Sequence, residues 1–253
     1  MKLSGLFEGN QMANFERCGN EMMYQTCRNC GRVEELPYAC SLKWCPRCQW
    51  KKTGERVRIL RKWSASISQP KHLVLTQRNF AVLSKRKIRA HKINLQKFRR
   101  TKVFDGVRGG ACSVEITNEG NGWHLHSHWL LDVRWLDMPA IAQTWGSLCG
   151  QEFGIVKVKD LRAGDYVHEC AKYVCEGNAM AQWPAEQILE FVMAIKGCRF
   201  FFQFGDLLKQ AKRIRAELAS EKPDQEPCEC GCEDYVFETE AMSVLNEIRK
   251  QNR

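Results

Sequence analysis

The clearest periodicities in the chain lie between residues 72 and 133. His72-Leu-Val-Leu-Thr76 is a short apolar run of the kind a buried strand presents. Ser84 to Lys102 predicts an amphipathic helix, with Ile88, Ile93, Leu95 and Phe98 as its apolar face and nine Lys/Arg and no acid over the rest. Ala111 to Thr117 alternates as a strand, Asn118-Glu-Gly-Asn-Gly122 reads as a turn, and Trp123 to Val133 returns as the second arm of a hairpin. Downstream, Pro139 to Cys149 predicts a helix and Gly154 to Lys159 a strand. Asp165 to Glu176 predicts a helix stopped by Gly177-Asn178, and Glu186 to Ile195 another. A basic helix from Asp206 to Leu218 follows a Phe-rich stretch. Strands alternate with helices, but the hairpin requires antiparallel pairing. The expected class is therefore α+β, an antiparallel sheet with flanking helices.

Upstream of this pattern the chain is irregular and rich in cysteine, then turns into a basic run from Lys51 to Lys62. Downstream, Pro223-Asp-Gln-Glu-Pro227 marks a linker into an acidic tail. Three segments follow: a cysteine-rich module with its basic helix (1–62), a central domain (63–218) and an acidic, cysteine-containing tail (219–253). No run approaches the roughly 18 apolar residues of a membrane span, and Met1 to Glu8 lacks a signal-peptide core. The expected address is cytoplasmic. In that reducing compartment, 14 cysteines point to metal ligands or free thiols more than to disulfides.

Charge separates the tail from the rest. Of 39 Lys/Arg and 29 Asp/Glu, 4 and 10 lie from Ala216 onward, leaving 35 basic against 19 acidic groups in the first 215 residues. That excess favours an anionic polymer as partner, nucleic acid first.

Three of the six histidines, His124, His126 and His128, occupy alternate positions of one predicted strand and so share a face. Trp123, Leu125, Ser127 and Trp129 take the other face, toward a core. Such a wall of imidazoles on a strand with a buried back is a metal platform. Glu115, on the preceding strand across the turn, supplies a third ligand and shifts the preference toward harder ions such as Mg²⁺ or Mn²⁺. On the predicted helix 165–176, Tyr166, Glu169 and Tyr173 fall at i, i+3 and i+7 and share a stripe. An aromatic stripe is ordinarily core, but a glutamate within it is costly to bury unpaired. Beside a metal, a tyrosine can act as nucleophile and a carboxylate can activate water.

These motifs resemble the rolling-circle replication initiators of small plasmids, phages and mobile elements, within the HUH endonuclease superfamily. The resemblance rests on Leu73-Val-Leu-Thr-Gln-Arg-Asn79, Ser113 to Thr117, the histidine strand and Lys172-Tyr-Val-Cys175, in that order, and spans about Cys27 to Lys209. It implies a ferredoxin-like palm, with His126 and His128 as metal ligands, Glu115 as the third and His124 as an accessory. It also implies Tyr173 as nucleophile, Glu169 as the residue that activates water, and Tyr166 as a stacking or second nucleophilic residue. Two departures stand out. Ser127 sits where the family carries a bulky apolar residue, and Glu176 where it carries a lysine, which leaves Lys172 as the substitute cation.

The implied activity is a metal-dependent nicking and rejoining of single-stranded origin DNA through a 5′-phosphotyrosine bond, with a host helicase and polymerase as further partners. The alternatives are a transposase or relaxase of the same chemistry, or a non-catalytic zinc-dependent DNA-binding regulator.

Cys27-Arg-Asn-Cys30 and Cys45-Pro-Arg-Cys48 are paired C-x-x-C knuckles, the signature of a structural zinc site, with Cys18 and Cys40 as substitutes or the start of a second site. Lys51, Lys52, Arg56 and Arg58 on the exit helix, with Arg78, are candidate phosphate contacts. Cys228-Glu-Cys-Gly-Cys232 has three thiols without a clear fourth and predicts no site by itself.

Overall fold

The computed structural model describes residues 10–160, 166–171, 174–175, 177–221, 228–232 and 235–237. In chain order the elements are α1 (Gln11–Arg17), β1 (Met22–Cys27), β2 (Val33–Pro37), α2 (Pro46–Ala65), β3 (Pro70–Thr76) and α3 (Lys85–Phe98). Then come β4 (Gly109–Asn118), β5 (Trp123–Asp132), α4 (Met138–Leu148), β6 (Ile155–Asp160), α5 (Tyr166–Ala171) and α6 (Gly177–Met180). The chain continues through α7 (Ala185–Ile195), β7 (Phe201–Phe204), α8 (Gly205–Glu221) and β8 (Tyr235–Phe237). It divides into two compact units, one of residues 1–48 with 219–253, the other of residues 49–218. The boundary expected near residue 62 therefore moves to 48/49. The reason is that Val57, Leu60 and Trp63 of α2 are buried in the core of the second unit.

The second unit is built on a five-stranded antiparallel sheet in the order β6-β3-β5-β4-β7. The β4–β5 hairpin forms with Glu115 opposite His126 and Ser113 opposite His128. Its turn is closed by Gly120 and Gly122 at positive φ, and a Cβ on Gly122 would lie 2.9 Å from the Phe80 carbonyl oxygen. One sheet face carries Trp123, Trp129, Leu73, Leu75, Val114 and Ile116, all buried, and packs against α3, α4 and α7. Edge-on aromatic contacts (Phe98–Trp129, Phe98–Trp145, Trp123–Trp183) fill that layer. On the other face Ala111 and Leu130 are covered by α2, α5 and α8. The rest of that face holds the histidines.

Two expected helices differ from the pattern. In α3 the buried stripe is Ile88, His91, Leu95 and Phe98, while Ile93 is 43% exposed. The 3-4-3 spacing keeps 88, 91, 95 and 98 on one side, and Ile93, two positions beyond His91, turns away from it. Ser84 caps the helix by accepting from the Lys87 amide. Of the helix expected over 165–176, α5 covers Tyr166–Ala171, Val174 and Cys175 are bent, and residues 172, 173 and 176 lie outside the described residues. The outer amides of β4 bond outside the sheet. Beyond its pairing with β7 they still need acceptors, and they find the Phe200 and Val174 carbonyls at 2.8 and 2.7 Å.

The first unit contains a three-stranded sheet in the order β2-β1-β8, so residues from the far end of the chain complete an N-terminal hairpin. It buries little apolar side chain: α1 has no buried residue and β2 alternates exposed and half-buried. Its compact clusters are made of cysteine. Among the described residues no helix is long and apolar enough to cross a membrane.

Candidate functional site

The sheet register decides which side chains meet. Antiparallel pairing sets Glu115 beside His126, and His128 between Ser113 on β4 and Val74 on β3. The Glu115 Oε2 lies 2.7 Å from His126 Nε2 and 3.2 Å from His128 Nε2. An ion held at about 2.1 Å by three mutually perpendicular ligands sets neighbouring donors about 3.0 Å apart. The observed spacings bracket that edge, so the three groups fit a divalent ion. Glu115 is 4% and His128 7% exposed. A carboxylate that deep is retained against its desolvation cost by the partners it holds. His124 stands one step outward, its ring 5.0 Å from that of His126, and is not part of the three-donor group. Burial, then the neighbouring His126, lowers its pKa.

A fourth histidine, missed from the sequence, completes the arrangement. His72 on β3 is buried, its ring stacked on that of His128 at 5.4 Å, with its Nε2 3.2 Å from His128 Nδ1. One of these two nitrogens donates to the other, which fixes the His128 ring and leaves its Nε2 aimed at Glu115. Leucines dominate the apolar run His72–Thr76 and mask the histidine at its start. The signal for His72 is its parity: it shares a face with Val74 and Thr76, which face the histidine strand.

The cavity over this face, of about 500 Å³, is lined by the four histidines, Thr76, Glu169 of α5 and Lys157 and Lys159 of β6, among others. Tyr173 and Lys172 lie outside the described residues, as does the side chain of Tyr166. Their described neighbours Ala171 and Val174 are 0% and 4% exposed. Ser127 faces the opposite side, as its strand parity requires. There its hydroxyl accepts the indole N–H of Trp129 at 2.9 Å, both residues being fully buried.

The candidate phosphate contacts divide. Lys51, Lys52 and Arg78 are exposed. Arg58 is exposed and donates to the Leu218 carbonyl. Arg56 turns inward: its guanidinium lies 4.7 Å over the Phe201 ring and donates to the Ala171 carbonyl, and burial lowers its pKa. It is committed to the core.

The cysteines form two clusters rather than one. Cys45 and Cys48 meet Cys18 and Cys40, with Sγ–Sγ distances of 3.6 Å (Cys18–Cys48, Cys18–Cys45) and 3.7 Å (Cys40–Cys48). Four thiolates at about 2.3 Å from a tetrahedral zinc stand about 3.8 Å apart, so this cluster fits the ion. The amides of Cys40 and Ser41 donate to the Cys18 and Cys48 sulfurs, and Ser41 takes a left-handed φ of 57°. Cys27 and Cys30 stand instead with Cys228 and Cys230. The expected pairing of the two C-x-x-C knuckles in one site is thus replaced. The two-residue gap within each knuckle is local, but which knuckle meets which is set by the β1–β2 hairpin between them.

No curated protein matches the chain, and no solved structure does. Residues 7–77, which carry six of the clustered cysteines together with α2 and β3, match the family model of the transposase zinc-binding domain, and this match supports, at superfamily level, the rolling-circle HUH proteins of mobile elements.

Proposed function

We propose that the chain cuts and rejoins single-stranded DNA through a tyrosine nucleophile, as a metal-dependent strand transferase of the HUH type. The observation that carries this reading is the convergence of Glu115, His126 and His128 on one sheet face beside Glu169, Lys157 and Lys159. Glu115, His126 and His128 would hold a Mg²⁺ or Mn²⁺ ion, which would supply Lewis-acid chemistry at the scissile phosphodiester. Tyr173, whose side chain ordinarily titrates near 10, forms a bond from its hydroxyl oxygen to phosphorus and gives up its proton. The 3′-oxygen leaves, takes up a proton and becomes a free hydroxyl, while the 5′-phosphate stays on the protein. Storing the bond in a phosphotyrosine permits rejoining, which direct hydrolysis would forbid.

Lys157 and Lys159 project from β6 into the same cavity and balance the phosphate charge. They take the role that the sequence left to Lys172. Glu169, also in the cavity, accepts a proton from the water or hydroxyl that later resolves the intermediate. Tyr173 takes the nucleophile's role on the strength of the resemblance, and its described neighbour Val174 bonds through its carbonyl to the amide of Ile116, next to Glu115.

The same chemistry serves a replication initiator at an origin or a transposase at the ends of an element. The zinc-binding match favours the transposase. The decisive experiment incubates the protein with single strands from either source and Mn²⁺ and resolves products under denaturing conditions. A covalent protein–DNA adduct is expected, lost in Tyr173→Phe and in His126→Ala/His128→Ala, and kept in Tyr166→Phe. Glu169→Gln is expected to keep the adduct and slow its release. An adduct persisting in Tyr173→Phe sinks the assignment, and binding without any cleavage would favour a non-catalytic regulator.

A further inference from the structure

We propose that Cys27, Cys30, Cys228 and Cys230 hold a second zinc ion, which fastens the segment after α8 to the N-terminal module. The region matching the zinc-binding domain contains six cysteines, and four of them (Cys18, Cys40, Cys45 and Cys48) close the first cluster. Cys27 and Cys30 remain, and a closed thiolate site needs two more ligands from outside that region. The structure brings them from about 200 residues away. Cys27 Sγ lies 3.6 Å from Cys230 Sγ, and Cys30 Sγ lies 3.3 Å from Cys228 Sγ. All four sulfurs lie within 4.8 Å of one another, close to the edge of about 3.8 Å that a tetrahedral zinc sets.

The backbone around the sulfurs is prepared in the same way on both sides. In each half a glycine at positive φ directly follows the second cysteine: Gly31 at 74° and Gly231 at 77°. Each glycine amide returns to the carbonyl of the first cysteine, Gly31 to Cys27 at 3.0 Å and Gly231 to Cys228 at 2.6 Å. Such turns point two sulfurs the same way, as a shared ion requires. Contacts that do not involve sulfur hold the halves in register. β1 pairs with β8, with Cys27 opposite Tyr235. The Tyr235 hydroxyl donates to Glu34, and Arg32 pairs with Glu229 at 3.0 Å. Cys27 and Cys228 are 0% and 3% exposed, so two of the four sulfurs are withdrawn from water in a unit that offers little apolar core. Zinc supplies the cohesion that apolar burial does not.

The second zinc site is independent of the cleavage chemistry. Its test is metal content of the full chain, purified reduced and freed of loosely held metal. Two zinc ions per chain are expected for the wild type, two for Cys232→Ser, and one for Cys228→Ser/Cys230→Ser. One ion in the wild type, two in the double variant, or a Cys30–Cys228 disulfide in place of the second ion would overturn the proposal. Because the double variant can fail to fold, a second measurement uses the wild type alone, loaded with NMR-active cadmium. Couplings from the β-protons of Cys228 and Cys230 to one metal, and of Cys45 and Cys48 to another, are expected. Absence of any coupling from Cys228 and Cys230 refutes the site.

Discussion

Ser127 shows how a single side chain serves the face opposite the chemistry. A bulky apolar residue there would fill space but leave the indole N–H of the fully buried Trp129 without its acceptor. Ser127→Ala should therefore cost about 1–3 kcal/mol of unfolding free energy, the penalty for a buried donor left unmade, with the metal face unaltered. Denaturant unfolding together with metal affinity checks both halves of that statement. His91 makes the complementary case. It is 1% exposed on α3, its ring edge-on to Trp145, and neither ring nitrogen has a partner among the described residues. Burial pushes its pKa down to about 3, against about 6.5 in the unfolded chain. Below pH 6.5 the unfolded state thus takes up a proton that the folded state refuses. The stability His91 allows is complete above that pH and falls as pH drops toward 3, by up to about 1.4 kcal/mol per unit. His91→Leu should flatten the acid limb of a stability–pH curve by that amount. An unchanged slope would mean that His91 is protonated in the fold. The sequence showed the histidine strand because three residues of one rare type recur at period two. It did not show His72 or His91, whose environments are made by strands and helices distant in the chain.

Among the elements, the edge strand β6 joins the fold most directly to a ligand. It is anchored on one side by β3, and its alternate residues Ile155, Lys157 and Lys159 line the histidine cavity. Replacing Lys157 and Lys159 by Ala should weaken single-strand binding across all sequences. It should also lower the slope of log affinity against log salt by about 0.7 for each phosphate no longer neutralised. An unchanged slope would place the phosphates elsewhere. The alternation of Gly154 to Lys159 made this strand legible, but not its neighbour, because β-pairing is long-range and a period of two carries no address. The same limit explains α5. Periodicity alone extends the helix to Glu176, whereas the Val174 carbonyl is bonded by the Ile116 amide of β4, a partner distant in the chain. The hairpin β4–β5 was legible to within two residues at its strand ends, since a short glycine-rich turn leaves one partner within reach.

At the scale of the molecule, the antiparallel α+β architecture followed from the alternation of elements and one hairpin, and the structure has it. The division into units did not follow, because α2 is continuous in sequence while its apolar side chains from Val57 onward belong to the second core. The acidic segment also looked like an appendage by composition. Its cysteines and β8 return to the first unit, a closure that no local pattern could announce.

That closure has a consequence for synthesis. The three-stranded sheet takes its third strand from residues 235–237, so β1 has one vacant edge until that segment has left the ribosome. The hairpin β1–β2 is made some two hundred residues before the strand that completes its sheet. Throughout elongation Cys27 and Cys30 wait with half a ligand set. A chain cut short before residue 228 would carry the histidine site entire while its N-terminal module still displayed an open strand and two unpaired thiols, a ready mark for the machinery that removes incomplete proteins.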